Sequence, residues 1–341
     1  MKLILSAAVA LAFVGGIRAS SAAEWEDKLQ KLYPAAKQEG ELIFNTARVE
    51  EVGGKEGLAQ FDKRFPGIKI TFSGLAGDQM PARLSAEVKA GKVSIDIFRS
   101  DANQALVLRD RDLLQTIDIP QITDQKVTTY LDSTFVKLSD FISNFAYNTD
   151  LVKPADLPKS YEDLLDSKWK NRLALDARGG QVAHLLAAHI WDADKFWGFI
   201  TKIKAQQPLW TSRNTEAVAK ITSGEAAIGT GSYDAVVALK ATGAPIEFLF
   251  LSPSLSQVRG AGIPKGAPHP NAARLFLGWL LSPEGLAARD KKAVGTIEPG
   301  TSLYDQIKAR KVDVTFEATI DQIKARDEVQ QQVTKAWGVL R

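Results

Sequence analysis

The chain has 341 residues, 45% of them hydrophobic and 24% charged, an ordinary globular composition that excludes a disordered or low-complexity chain. That length points to two domains, because a single core rarely grows beyond about 250–300 residues. The formal charge is +3; without Lys2 and Arg18, which lie in a segment expected to be removed, 41 basic side chains face 40 acidic ones, no electrostatic footprint for nucleic acid or an anionic membrane.

Lys2 opens the chain, Leu3 to Val14 is an apolar run, Gly15-Gly16 breaks it, and Ser20-Ser21-Ala22-Ala23 offers the small residues of a cleavage site. This layout predicts a secretory signal peptide over residues 1–23, cut near Ala22 or Ala23. A transmembrane helix needs about 20 apolar residues, and this run is shorter. There is no cysteine. An exported core would therefore form without disulfides and without a lipid-bearing cysteine, and cysteine-built zinc sites are excluded.

Beyond the leader, short apolar strands alternate with helical patterns. Glu41 to Phe44 reads as a strand, and the following helix carries Leu58, Phe61 and Phe65 on one face before Pro66-Gly67. Ile68 to Phe72 alternates like a half-buried strand. Met80, Leu84 and Val88 mark a helix ended by Gly91, and Ile95 to Phe98 is the next strand. Asp101 and Gln104 are spaced as a capping pair for the helix after it. A less regular stretch, 115–129, leads into Phe135 to Tyr147, which is rich in β-formers. Ser160 and Asp163 read as the N-cap and N3 residues of a helix through Leu164 and Leu165.

A second βα series starts at Leu173 to Leu175 and runs through Ala226 to Ile228 and Phe248 to Phe250, with a further strand at Val258 to Ile263. Pro264, Gly266, Pro268 and Pro270 make a joint before a helix carrying Leu275, Phe276, Trp279 and Leu280. The tail from Thr319 to Leu340 is a polar-rich helix pattern. Asp305 to Arg310 recurs letter for letter as Asp321 to Arg326, which is one short copy and no repeat architecture. This rhythm predicts an α/β chain with parallel sheets covered by helices on both faces.

Several runs in fixed order are more specific. They are Phe145 to Val152, Pro158 to Asp166, Lys168-Trp169-Lys170, Ser223 to Gly229, Gly262 to Ala273, and Phe276 to Gly285 with its Ser282-Pro283-Glu284-Gly285. Together they resemble the extracellular solute-binding proteins of ABC transporters, in the branch that includes the ferric-iron binders, over essentially the whole mature chain. The resemblance implies a two-lobed periplasmic binding protein fold, each lobe a mainly parallel sheet flanked by helices, with crossing strands as hinge. The first lobe would comprise 24–137 plus 259–300, and the second 138–258 plus 301–341 with the C-terminal helix. It also implies a monomer in the periplasm whose partners are a small-molecule ligand and an ABC permease with its ATPase at the inner membrane.

In open parallel sheets, ligands sit beyond the carboxyl ends of the strands, where helix N-termini present free N–H groups. Arg48, Arg99 and Arg178 follow strands, Arg213 follows Pro208 to Thr211, and Arg259 enters a strand near the lobe junction. Arginine at such places can pair bidentately with carboxylate or phosphate. The same loops offer Asn45 and Thr46, Asp78 and Gln79, Ser100 and Asp101, the Gly179-Gly180 turn, and Ser232 before Tyr233. Each also serves plainly as a turn or a cap. Trp210 has two readings, stacking on a planar ligand or packing in a core.

Ferric binders of the resembled family present clustered tyrosinates, usually with an adjacent Tyr-Tyr pair in the second lobe. Here the matching region, Gly229 to Asp234, holds Tyr233 alone, which disfavours iron. His184 and His189 are five apart, roughly 140° around a helix, and His269 stands between prolines, so no metal site is expected. No Gly-x-Ser-x-Gly elbow, His-Glu-x-x-His or P-loop is present, so neither enzyme nor cofactor is expected. The sequence points to a periplasmic binder of a small anionic organic solute (carboxylate, phosphonate or phosphate ester). Ferric iron with a synergistic anion, and a sensing module docking on a membrane receptor, are the alternatives.

Overall fold

The computed structural model describes residues 16–46, 48–74, 79–123, 129–292, 295–317 and 319–339. Residues 16–23 of the expected leader form the first turns of a helix, and residues 1–15 lie outside the described part. No helix among the described residues is long and apolar enough to cross a membrane.

The first elements are helix α1 (Gly16–Glu39), strand β1 (Glu41–Asn45), α2 (Gly54–Arg64), β2 (Lys69–Phe72), α3 (Met80–Lys89), β3 (Ile97–Asp101), α4 (Ala102–Asp110), the single turn α5 (Ile119–Ile122) and β4 (Thr129–Tyr130). A long strand, β5 (Phe135–Asn148), then leads to β6 (Leu173–Asp176), α6 (Gly180–Ala187), α7 (Ala193–Ala205), β7 (Leu209–Thr211), α8 (Asn214–Thr222), β8 (Ile228–Ser232), α9 (Tyr233–Ala241) and β9 (Ile246–Leu249). The chain returns through β10 (Ser254–Gly262), α10 (Pro270–Leu281), α11 (Pro283–Asp290), α12 (Ser302–Arg310), β11 (Val314–Phe316) and α13 (Ile320–Trp337).

The main path of the sheet runs β2-β1-β3-β10-β5-β8-β6-β7. At one end β1 pairs parallel with β2 and β3; at the other β6 pairs parallel with β7 and β8. Between them β5 and β10 run antiparallel to each other and to their neighbours on this path, while β11 adds parallel to β10 off it. The βα rhythm thus makes the two parallel halves, and the two long strands join them.

Each half has its own apolar centre. Phe61 meets Phe276 edge-on with centroids 4.9 Å apart and Trp279 at 5.5 Å, beside Phe44 and Phe65. Helix α1 lays Trp25 and Leu29 on the same centre, and Gly278 of α10 lets it approach: a Cβ there would sit 2.5 Å from Leu29. The other half gathers Trp169, Phe196, Phe199 and Leu251. Helix α13 serves both, with Ile323 in a cluster of the first half and Val333 and Trp337 in the second.

Two expected caps differ in the structure. Ser160 and Asp163 do exchange hydrogen bonds (3.2 and 3.1 Å), but only a 3-10 turn, Glu162–Leu165, follows. Asp166 starts a second short turn by accepting from the Lys168 N–H at 2.9 Å, so the first never propagates. Asp101 precedes α4 but makes no side-chain cap, because its carboxylate accepts from the Arg259 guanidinium instead. A guanidinium offers the carboxylate a full positive charge, which a backbone N–H does not.

The Trp337 indole is buried, donates to the Ile200 carbonyl at 3.2 Å and packs on Trp210 at 4.8 Å. Trp337→Ala should therefore lower unfolding stability by about 3–5 kcal/mol in urea titration. A loss below about 1 kcal/mol would show that the C-terminal helix is not anchored in this core.

Candidate functional site

A cavity of about 740 Å³ opens between the two halves. First turns of five helices border it: Gln79 precedes α3, Asn103 and Gln104 begin α4, and Gly180 and Gln181 begin α6. Asn214 and Thr215 begin α8, and Asp234 and Ala235 begin α9. These helices follow strands of the parallel halves, so their free N–H groups turn toward one space. Phe141 and Ser143 of β5 and Gln257 and Arg259 of β10 supply the surface between the halves.

The cavity brings together Arg48, Arg178, Arg213 and Arg259. Most of this charge is already answered. Arg48 reaches from the first half to Asp234 of the second, Nη1 to Oδ2 at 2.5 Å. Arg259 donates to Asp101 at 3.0 Å and to Asp234 at 3.4 Å, with its guanidinium 3.6 Å from the Phe141 ring centre. A bulge between Arg259 and Gly260 turns that side chain toward the space, and Gly260 is required there because a Cβ would lie 2.2 Å from the Val136 carbonyl. Arg178 is clasped by Asp176, with Nη2 to Oδ2 at 2.5 Å and Nε at 3.0 Å. Arg213 is exposed and makes no ion pair among the described residues. The positive rim expected from sequence is thus a network of arginines and carboxylates with one guanidinium left over.

Arg99 stands behind this network, 2.8 Å from Glu51, and borders only an adjoining void of about 10 Å³. Burial by itself would raise the Asp234 carboxyl, but Arg259 and Arg48 override it and hold the group at about 2. Its Oδ1 is buried with no hydrogen-bond partner among the described residues.

Other candidates fall elsewhere. Asn45 and Thr46 are buried at the end of β1 outside the cavity lining, and the Thr46 hydroxyl donates to Glu51 at 2.7 Å. Ser100 is buried beside Asp101, off the lining, while Ser232 lies on it as the residue before α9. Asp78 lies outside the described residues. Gly179 takes a left-handed φ of 71°, and a Cβ there would lie 2.4 Å from Val333. Its role is the close approach of α13, and Gly180 is the member of the pair that borders the cavity.

Two aromatic candidates are corrected. Trp210 packs on Trp337, and Tyr233 is buried edge-on to Phe248 at 5.6 Å, its hydroxyl accepting from Gln306 at 2.6 Å. Neither borders the cavity; Tyr233 turns inward between Ser232 and Asp234, which do.

The C-terminal helix was legible in the sequence, but its place in the cavity was not. Arg326, Asp327 and Gln330 line the cavity from the middle of that helix, where no strand-end rule points. Among the described residues no group of three or more His, Cys, Asp or Glu side chains is placed to hold a metal ion, and no tyrosine lines the cavity. His184 is buried with Nε2 3.2 Å from the Pro253 carbonyl, and burial pushes it down to about 4.

Residues 57–316 match the family described as bacterial extracellular solute-binding protein. A Salmonella typhi protein provisionally named as a 2-aminoethylphosphonate-binding periplasmic protein is 25% identical over 152 residues, 41% of this chain and 44% of that one. The chain spans about half the length of the curated relatives it matches (55% and 44%). Among solved structures, iron-bound HitA from Pseudomonas aeruginosa is similar with a TM-score of 0.65 and 17% identity, over 88% of this chain and 99% of that one. AfuA from Actinobacillus pleuropneumoniae with fructose-6-phosphate bound gives 0.64 and 20%, over 87% and 96%. These likenesses show the two-lobed periplasmic binding protein fold.

Asp234 sits below its ordinary 3.8, so it stabilises the folded state above pH 4, and that contribution is lost as pH falls toward 2. The amount is about 2 kcal/mol. Asp234→Asn should lack this part of the acid dependence when stability is measured from pH 5 to pH 2. An unchanged slope would show that the ion pairs do not persist in solution.

Proposed function

The chain belongs to the bacterial extracellular solute-binding proteins, and from that premise we propose that it captures a small anionic organic solute in the interlobe cavity. The solute is a carboxylate, phosphonate or phosphate ester, taken up in the periplasm after removal of residues 1–23 and delivered to an ABC permease and its ATPase. In this reading the lobes are residues 24–137 with 259–300 and 138–258 with 301–341, and β5 and β10 form the hinge between them.

One observation carries the reading. Arg213 stands at the start of α8 with no ion pair among the described residues, Glu216 acting on it only from a distance, in a cavity whose other arginines are matched. A guanidinium beside the free N–H groups of a helix N-terminus is a site for an oxyanion. Arg178, with half of its side chain exposed, adds charge on the same side. The Salmonella relative's provisional name contains a phosphonate, and the AfuA structure holds a sugar phosphate, both oxyanions of this kind. Ferric iron would need several anionic oxygens free for the metal, whereas the carboxylates here are engaged by arginines.

A thermal-shift panel of organic anions and ferric salts tests this. At about 100 times its dissociation constant, a solute should stabilise the fold by about 2.7 kcal/mol. Arg213→Ala should weaken binding of that solute about tenfold or more while leaving the melting temperature of the free protein unchanged. A shift produced by ferric salts alone, or full affinity in Arg213→Ala, contradicts the proposal.

A further inference from the structure

Charge is matched unevenly around the cavity. Asp176 neutralises Arg178 while Arg213 stands over; Glu216 acts on both arginines from outside the lining. Arg48 and Arg259 balance Asp234 and Asp101. On α13, which packs against Gly180 through Gln330, a single guanidinium serves two carboxylates. Arg326 meets Glu317 through Nε and Asp327 through Nη2, the latter at 2.7 Å.

Arg326 and Glu317 are nearly inaccessible, at 5% and 8%, while Asp327 is 35% exposed and borders the cavity. Burial pushes both carboxyls above their ordinary values, Glu317 up to about 7, and the negative charges of Asp327 and Asp101 add to the rise on Glu317. One arginine does not satisfy them. The cluster takes up either a proton or a further cation. Gln330, whose Oε1 accepts from Arg326 at 2.8 Å, and Asn103, hydrogen-bonded to Asp327, stand beside them on the cavity lining.

We infer that the captured solute is dipolar, with its oxyanion on Arg213 and a protonated amine donating to Asp327 of α13. This rests on the anion-capture reading and narrows it to amino-bearing anions. A simple anion would meet Arg213 and leave Asp327 with no more than its share of Arg326. An ammonium at Asp327 supplies the positive charge that Arg326 divides between two partners.

Calorimetric titration of the purified chain with matched probes decides it: β-alanine against propionate, and 2-aminoethylphosphonate against ethylphosphonate. At least one amino-bearing probe should bind about tenfold or more tightly than its amine-free partner. Asp327→Asn should erase that preference, weakening the amino-bearing member relative to its amine-free partner. The comparison in the unmodified protein does not depend on the variant folding. Equal affinity within both pairs, or equal weakening of both members in Asp327→Asn, overturns the dipolar assignment and leaves anion capture standing. If none of the four binds while other organic anions do, the assignment fails in the same way; if no organic anion binds, both readings fail.

Discussion

The antiparallel pairing of β5 with β10 is the constraint on which the rest depends. Residues Val136 to Ser143 of β5 lie against Leu255 to Ala261 of β10, and beyond them each strand joins the sheet of a different half. Two βα units that would otherwise be separate domains are thereby fixed with the carboxyl ends of their strands facing one space. The same two strands build the wall between the halves, carrying Phe141, Ser143, Gln257 and Arg259. Relative movement of the halves has to bend these strands, as in hinge closure around a ligand. The Arg48–Asp234 pair spans the gap from one half to the other, and any closure or opening must keep or break it.

The second consequence is electrostatic. Convergent helix N-termini already give the cavity partial positive charge, and arginines added to that surface repel one another by about 4 kcal/mol per pair at 4 Å in a surface-like dielectric. The carboxylates of Asp101, Asp176 and Asp234 make the cluster tolerable by interleaving with the guanidinium groups. What discriminates among solutes is then the residue of an almost balanced sum. Arg213 makes no ion pair among the described residues, and Arg326 has two carboxylates to serve. Selectivity in such a site comes from the spacing of unmatched charge, because net charge is nearly cancelled.

Much of the architecture was legible because it is local. Apolar alternation placed β1, β2 and β3, the Pro-Gly joint announced α10, and the strand-end rule brought four of five arginines to one cavity. Pairing was not legible. Arg48 and Asp234 lie 186 positions apart, and nothing near either one names the other. Side-chain direction at a turn was equally hidden: Ser232 and Asp234 face the cavity while Tyr233 between them faces a core. The two copies of Asp-Gln-Ile-Lys-Ala-Arg show the limit most plainly. Arg310 ends the first copy exposed, 5.4 Å from the Phe250 ring, whereas Arg326 ends the second buried between Glu317 and Asp327. Identical letters acquire different roles because only the second copy begins a helix that packs in both halves.

The central claim is that an oxyanion is held between the lobes at the start of α8. A crystal structure of the chain with the organic anion that stabilises it most tests this directly. The account predicts the oxyanion within hydrogen-bond distance of the Arg213 guanidinium and of backbone N–H groups of Asn214 or Thr215. A solute seated on an outer surface, or in the cavity with its oxyanion turned away from Arg213, would contradict it.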